Sequence, residues 1–224
     1  MRLSILNALL GSFFYTLALA RIQAPRADYT TVEPSWSLEV TPGGPRMNVS
    51  GTIQEAIAKV VEVNPSWEEQ FNFTTDPIAN FTTGATSNDT TTVKPVRFNL
   101  EFLGSQDPRS GTPFYSEPIC TAGAFGAARY DAIIEGIKYL NGINHQASIP
   151  PGPQKCSRVS CSWGSAILWC NDQAAGLSFD SFERIVQGAW LVLNSCANAW
   201  PAHKIAGQAF NPDGWNVLVR DADC

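Results

Sequence analysis

All six cysteines of this 224-residue chain lie in its second half, and this distribution constrains the fold more than any other feature. An even number of cysteines behind a secretion signal predicts disulfide bonds rather than metal ligands. A C-terminal domain held by disulfides is therefore expected, with 15 possible pairings of six cysteines. The cysteines are Cys120, Cys156, Cys161, Cys170, Cys196 and Cys224.

Residues 1–20 have the layout of a cleavable signal peptide. A short basic start at Arg2 precedes an apolar run, and Ala18-Leu19-Ala20 forms a small-x-small exit. The run is interrupted by polar residues and is shorter than the roughly 20 apolar residues that a membrane-spanning helix needs. The sequence therefore predicts a secreted, extracellular protein without membrane insertion.

The charge balance disfavours several classes of partner. Without residues 1–20 the chain carries 14 basic and 20 acidic residues, a net charge of −6. An acidic chain without a basic run is poorly suited to gripping phosphate backbones, so no nucleic acid is expected. The cysteine spacing lacks the C-x2-C pairs of zinc sites, so neither a metal nor another cofactor is expected. The target and the oligomeric state stay open.

Composition and periodicity divide the chain into five parts. The N-terminal unit combines an alternating strand from Trp36 with a helix that begins at a capping box, Thr52 and Glu55. No dibasic site precedes the cysteine domain, which favours retention of this unit. The five parts are a signal peptide (1–20), a flexible leader (21–35), a strand-turn-helix unit (36–63), a Thr-rich loop (64–95) and a disulfide-stapled α+β domain (96–224).

Four N-x-S/T sequons lie in the N-terminal half. Three of them fall in or beside the Thr-rich loop, where we expect at least two glycans that keep the loop solvated. An unglycosylated polar linker is the alternative. The sequons begin at Asn48, Asn72, Asn80 and Asn88.

The C-terminal part predicts an α+β fold, with two helices packed on one face of an antiparallel sheet. A strand at 98–102 leads to a helix over 125–143, whose apolar residues recur at helical spacing. A second helix begins at a capping box formed by Asp180 and Glu183. A final hairpin over 205–219 turns at Asn211-Pro212-Asp213-Gly214.

The segment from Cys156 to Asn171 predicts a hairpin with a two-residue turn at Trp163-Gly164. Cys161 and Cys170 then share a face but lie too far apart for the Cα separation of about 4.4–6.8 Å that a disulfide requires. They should therefore not bond to each other and should find partners on other elements. In this register, Ser162 lies opposite Ser165, Cys161 opposite Ala166, and Val159 opposite Leu168, so that one face carries Val159, Cys161, Ala166, Leu168 and Cys170.

The ends of the chain and its tryptophans carry two further predictions. A final residue Cys224 predicts that the C-terminus is pinned to the body. Trp163, Trp169 and Trp215 form a candidate binding surface, with Trp169 on the non-core face of the hairpin, because exposed indoles stack on sugars and anchor protein interfaces. The alternative is that these rings pack against the N-terminal unit.

No catalytic residues are assigned, and the protein is not expected to be an enzyme. Three weaker sets remain as alternatives. A serine hydrolase is disfavoured because Ser162 and Ser165 lack the G-x-S-x-G motif of a nucleophile elbow. A ribonuclease is disfavoured because its acid–base pair must act on a phosphate, which suits an acidic protein badly. A glycosidase is disfavoured because aspartates in turns are usually solvated rather than paired. The groups in the last two sets are His145, His203, Glu183, Arg184, Asp213, Asp221 and Asp223.

Several segments resemble a family of small secreted, cysteine-containing proteins of filamentous ascomycete fungi. The segments are 51–56, 63–67, 156–172 and 207–224, within a resemblance that covers about 36–224. The resemblance implies a candidate effector, released into host tissue or the growth substrate, and implies no activity. The expected helix-and-sheet sandwich is also similar, more loosely, to fungal killer toxins and necrosis-inducing effectors.

Three functions are therefore open. The first is a secreted effector-type protein that acts by surface binding to a host or environmental target and contributes to virulence. The second is a cell-wall or glycan-binding protein. The third is a secreted toxin or hydrolase with an unrecognised site.

Overall fold

The computed structural model describes residues 29–71, 73, 117–120, 126–143, 146–199, 201 and 203–224. These residues form a mixed α+β structure with eleven strands and four helices, which confirms the predicted fold class. The signal peptide, the strand at 98–102 and most of the Thr-rich loop lie outside the described residues.

The helices and strands have the following bounds. The helices are α1 (Ile53–Val63), α2 (Trp67–Gln70), α3 (Tyr130–Gly142) and α4 (Glu183–Cys196), the last followed by a 3-10 turn at Ala197–Ala199. The strands are β1 (Thr30–Val32), β2 (Ser35–Glu39), β3 (Arg46–Ser50), β4 (Ala128–Arg129), β5 (Ala147–Ile149), β6 (Lys155–Ser162), β7 (Ser165–Asn171), β8 (Leu177–Phe179), β9 (Lys204–Ile205), β10 (Gly207–Asn211) and β11 (Trp215–Asp221).

The strands form two sheets and a short pair. The first sheet has the order β1-β6-β7-β11-β10, the second has the order β3-β2-β5-β8, and β4 pairs with β9. Helix α3 contacts β6 and β7, and α4 contacts β10 and β11. The first sheet is not purely antiparallel as expected, because β1 runs parallel to β6 at its edge.

The second sheet joins the two halves of the chain. Strand β3 was not predicted, because the sequence interpretation ended the N-terminal strand at the Pro-Gly-Gly-Pro turn. β2 pairs with β3 along its length and meets β5 through Ser35 and Ser148. Trp36 is a buried residue of β2, and its ring stacks on the ring of Phe182 with the two centroids 4.7 Å apart. The strand-helix unit therefore shares one core with the cysteine-rich half.

The predicted capping box of α1 is confirmed. The Glu55 backbone N–H donates to the Thr52 hydroxyl, and the Thr52 backbone N–H donates to the Glu55 carboxylate at 2.6 Å. This backbone hydrogen bond from Thr52 lowers the pKa of Glu55. The adjacent Gly51 carbonyl accepts from the buried indole of Trp36 at 2.7 Å, which fixes the start of α1 against β2.

The second predicted capping box is wrong. Helix α4 begins at Glu183, and its N-cap residue Phe182 makes no side-chain cap hydrogen bond. Phe182 is buried against Trp36. Burying this ring places residues 180–182 in a bend, so Asp180 lies one turn before the helix.

Within the described ranges, no helix is long and apolar enough to cross a membrane.

The β6–β7 hairpin follows the predicted register near its turn and departs from it at Val159. Ser162 pairs with Ser165 and Cys161 with Ala166, as expected. A β-bulge at Val159 then shifts the pairing by one residue, so that Leu168 lies opposite Arg158 rather than Val159. Because a bulge places two residues opposite one, Val159 turns toward the helices and joins the main core.

All six cysteines form disulfides: Cys120–Cys196, Cys156–Cys170 and Cys161–Cys224. The prediction that Cys161 and Cys170 do not bond to each other is confirmed. The expectation that Cys170 finds its partner on another element is wrong, because the bulge places Cys156 directly opposite it in the same hairpin. The prediction that Cys224 pins the C-terminus is confirmed.

Helix α1 supplies the polar groups that the bulge requires. The Gln54 side chain donates to the Ser160 hydroxyl at 2.8 Å and accepts from the Cys161 backbone N–H at 3.2 Å. On the other side, α3 approaches β6 at Gly136, where an added Cβ would lie 2.3 Å from the Ser160 Oγ atom. Ser160 is therefore held between two helices.

A buried polar cluster on the opposite face of the first sheet anchors the residue before β1. The Asn216 amide donates to the Tyr29 hydroxyl at 2.8 Å and to the Asp172 carboxylate at 3.0 Å. Gln208 donates to the Asn216 amide oxygen at 2.9 Å. These hydrogen bonds tie the residue before β1 to β10 and β11, so the cluster has a structural role.

Replacing Gly136 by alanine should destabilise the fold. At an open helical position this change is stabilising, because glycine has the larger unfolded-state entropy. Here the new methyl group must displace Ser160 and the hydrogen bond from Gln54, at a cost of about 1–3 kcal/mol. Urea denaturation of Gly136→Ala followed by circular dichroism measures the change.

Ser160→Ala supplies the control. Removing the hydroxyl relieves the contact with the new methyl group, so the double variant should lose less stability than the two single changes together. Simple additivity would show that Gly136 and Ser160 do not interact in the way the distance implies.

Candidate binding site at the Trp163 turn

The turn between β6 and β7 presents a tryptophan to solvent. Trp163 is 71% exposed, and only Val63, at 61%, is comparable among the large apolar side chains of the described residues. Trp163 and Gly164 have φ angles of 52° and 69°. Two consecutive positive φ angles define a type I′ turn, which confirms the predicted two-residue turn.

Tryptophan is an unusual residue for this position. Type I′ turns favour Asn-Gly or Asp-Gly, because short polar residues tolerate the left-handed conformation. A residue with a bulky Cβ substituent in this conformation costs about 1–2 kcal/mol. An exposed ring gains little burial in return. Backbone strain of this kind is typical of functional positions, and it singles out Trp163 from the other tryptophans.

Arg129 lies over the Trp163 ring. Its guanidinium carbon is 5.9 Å from the ring centroid, within the range of a cation–π contact. Two hydrogen bonds to Asp131, at 2.6 Å and 3.2 Å, orient the guanidinium. The side-chain hydrogen bond from Arg129 lowers the pKa of Asp131. The local charges are thus paired, and the apolar ring is the dominant exposed feature.

Buried groups fix the turn from below. The Ser165 hydroxyl donates to the Trp163 carbonyl at 3.3 Å and accepts from the Arg129 backbone N–H at 2.9 Å. The Ala222 backbone N–H donates to the Gly164 carbonyl at 3.3 Å. The Cys161–Cys224 disulfide holds the chain terminus beside the same turn. The indole is therefore displayed on a rigid support.

The other two tryptophans of the predicted surface lie in the core. Trp169 and Trp215 are each 1% exposed, so the expectation that Trp169 lies on a non-core face is wrong. Both rings pack against Phe179, with centroids 4.7 Å and 5.0 Å away. The alternation along β7 was read correctly, but both faces of the strand are buried, one by helices and one by the disulfide-containing cluster.

Among the described residues, the structure keeps His203 apart from Glu183 and Arg184, and Asp213 apart from Asp221. Glu183 and Arg184 begin α4, whereas His203 lies beyond its end, and a helix of 14 residues spans about 20 Å. Asp213 and Asp221 lie at opposite ends of the seven-residue strand β11, about 20 Å apart. Glycosidase carboxylates are roughly 5–10 Å apart. His145 lies outside the described residues.

The remaining predicted positions are placed as follows. Asn48 is exposed on the edge strand β3, and its glycosylation stays a prediction. Asn72, Asn80 and Asn88 lie outside the described residues. All six cysteines are in disulfides, and in the described ranges no group of three His, Cys, Asp or Glu side chains could hold a metal ion.

Comparison with protein-family models, curated proteins and solved structures gives no match. Trp163 was one of three tryptophans of the predicted surface. One sequence signal distinguishes it from the other two: it precedes the glycine of a two-residue turn, where Asn or Asp is the usual residue.

Trp163→Asn should stabilise the protein. Asparagine tolerates the left-handed conformation, so the gain should reach about 1 kcal/mol. Urea denaturation measured by circular dichroism tests this on protein produced without N-glycosylation, because the change creates an N-x-S sequon with Ser165. Trp163→Ala is the matched control, because alanine removes the ring but keeps the strain and should not stabilise. A loss of stability in Trp163→Asn would mean that the ring contributes packing to the fold.

Cys224→Ser should cost about 2–5 kcal/mol, the range for a native disulfide in a small secreted domain. The bridge from Cys161 closes a long loop and holds the terminus against the turn. Thermal unfolding of Cys224→Ser beside Asp223→Ser, an exposed neighbour without a cross-link, measures the effect. Equal melting temperatures in the two variants would contradict the pinned terminus.

Proposed function

We propose that the protein is a secreted effector-type binding protein that contacts a host or environmental target through the Trp163 turn and contributes to virulence. The observation that carries the proposal is an exposed tryptophan in a strained conformation on a rigid support. Three disulfides support the extracellular setting, because such bridges persist in oxidising compartments.

The energetics of the turn favour a binding role. Tryptophan is enriched among the few residues that dominate binding energy at protein interfaces. A ring held by Arg129 from one side and by a locked backbone below loses little freedom on binding, which lowers the entropic cost of association. The stability lost to strain at Trp163 is offset only when a partner covers the ring.

The distribution of polar groups supports binding over catalysis. Near Trp163 the ionic side chains pair with each other, as Arg129 does with Asp131. His203 lies beyond the far end of the helix that Glu183 and Arg184 begin, and Asp213 and Asp221 lie at opposite ends of β11. A contact surface needs no acid–base pair, and the turn supplies the apolar anchor that such a surface requires.

The test is capture of target material by three forms of the purified, disulfide-bonded protein. Wild type, Trp163→Asn and Val63→Asn are all produced without N-glycosylation, because Trp163→Asn creates an N-x-S sequon with Ser165. They are immobilised and exposed to host extracellular extract, insoluble chitin and glucan, and retained proteins are identified by mass spectrometry. A protein retained by wild type is then purified and titrated against all three forms. Trp163→Asn should weaken binding about 30-fold, the effect of a 2 kcal/mol hot spot.

Val63→Asn is the matched control, because it removes the other large exposed apolar side chain. It should bind the target as wild type does. Since Trp163→Asn is expected to be at least as stable as wild type, weaker binding cannot be ascribed to unfolding. Equal affinity of Trp163→Asn and wild type, or retention of no protein at all, would contradict the proposal.

A further inference from the structure

A cleft opens at the far end of the hairpin from Trp163. It has a volume of about 430 Å³ and lies where β2, β5 and β8 meet. Its polar lining consists of three serines and one acid, and two prolines add apolar surface. These residues are Ser35, Ser148, Ser178, Glu33, Pro150 and Pro151.

The pairing of the second sheet brings the three serine hydroxyls into one row. Ser35 pairs with Ser148, and Ser148 pairs with Ser178. Side chains of directly opposite residues point to the same face, with Cβ atoms about 5 Å apart. All three serines are exposed. The row therefore crosses three strands and forms a line of hydroxyl groups along the cleft.

The polar groups of the cleft are not used by the protein itself. Within the part of the chain that the structure describes, the side chains of Glu33 and of the three serines have no hydrogen-bond or ion-pair partner. Elsewhere on the same sheet face the pattern differs, since the Ser37 hydroxyl accepts from Arg46 at 3.2 Å. The cleft thus offers hydrogen-bonding capacity in a concave place, as ligand sites do.

A buried asparagine holds the walls of the cleft in position. The Asn171 amide donates to the carbonyls of Pro150 at 3.1 Å and Ala175 at 2.7 Å, which joins the segments after β5 and before β8. The backbones also approach closely, since an added Cβ at Gly176 would lie 3.2 Å from the Ile149 carbonyl. The cleft is therefore pre-organised rather than formed by mobile chain.

The chemistry of the lining limits the ligand. Of the described residues that line it, Glu33 is the only charged one and none is basic, which disfavours phosphates, nucleic acids and other anions. Hydroxyls and a carboxylate exchange hydrogen bonds with a polyol, and the proline rings suit the C–H faces of a sugar. We propose that the cleft binds a neutral oligosaccharide across the row of Ser35, Ser148 and Ser178.

This site is independent of the proposed function at Trp163. The cleft adjoins the open end of the β6–β7 hairpin, and Trp163 lies at its closed end. Strand β6 has eight residues, which separates the two places by roughly 25 Å. Failure of one proposal therefore leaves the other standing, and variants of each site report on it separately.

The test compares valine with threonine at position 148. The two side chains have the same shape, but only threonine keeps a hydroxyl, so Ser148→Thr is the matched control for Ser148→Val. Binding of chitohexaose, laminarihexaose and mannohexaose is measured by isothermal titration calorimetry. All proteins carry Asn48→Gln, because Asn48 lies on the same sheet face and a glycan there could occupy the cleft. They are also produced without N-glycosylation, because Trp163→Asn creates a sequon with Ser165.

The parent protein and Ser148→Thr should bind at least one of the three probes, and Ser148→Val should bind it about tenfold more weakly, since one hydrogen-bonding group is lost. The pair Ser178→Thr and Ser178→Val on β8 repeats the comparison if Ser148→Val does not fold. Trp163→Asn should bind the sugars as the parent does.

Three results would overturn the assignment. The first is absence of binding of all three hexasaccharides to the parent protein at millimolar concentration. The second is equal affinity of the valine and threonine variants at both positions. The third is loss of sugar binding in Trp163→Asn alone, which would place the saccharide at the turn instead of the cleft.

Discussion

The β-bulge at Val159 lies where the two halves of the chain meet, and the rest of the hairpin depends on it. One extra residue in β6 shifts the register, so Cys156 faces Cys170 and can bond to it. The same shift directs Val159 into the main core beneath the helices. Two residues beyond the bulge, the Gln54 side chain accepts from the Cys161 backbone N–H and so satisfies a donor of β6.

This arrangement makes the N-terminal unit part of the fold. Gln54 belongs to α1, which the capping box at Thr52 and Glu55 holds against β2. Its amide reaches 107 residues along the chain to the backbone of Cys161. Loss of the Gln54 side chain alone would leave this part-buried N–H without its acceptor, at a cost of about 1–3 kcal/mol. The N-terminal half thus contacts β6 twice, through the pairing of β1 with its first residues and through Gln54 near its end.

Local features of the fold could be predicted from the sequence, and features set by distant contacts could not. The capping box of α1 and the turn at Trp163 depend on neighbouring residues and were predicted correctly. Alternation alone gave the wrong strand register at the bulge, which lies beside Gln54 of a distant helix. Spacing alone gave the wrong start for α4, where Phe182 packs against the distant Trp36. The pairing of Ser35, Ser148 and Ser178 is equally non-local.

The tryptophans show the same division for the candidate site. Strict alternation places Trp169 on one face of β7, but it cannot tell whether that face meets water or helices. Its burial against Phe179 follows from the position of β8, which joins a different sheet. Exposure of Trp163 follows instead from its place in a two-residue turn, where no neighbouring strand can cover the ring. Turn position was therefore the better predictor of a displayed side chain.

The hairpin gives the two proposed sites a fixed relation to each other. Disulfides at Cys156–Cys170 and Cys161–Cys224 lie near its two ends and limit bending between them. A target engaged by both ends must therefore present an apolar pocket and a sugar roughly 25 Å apart, the length of the strand. Simultaneous contact raises overall affinity only when that spacing matches, because a rigid linker cannot adapt.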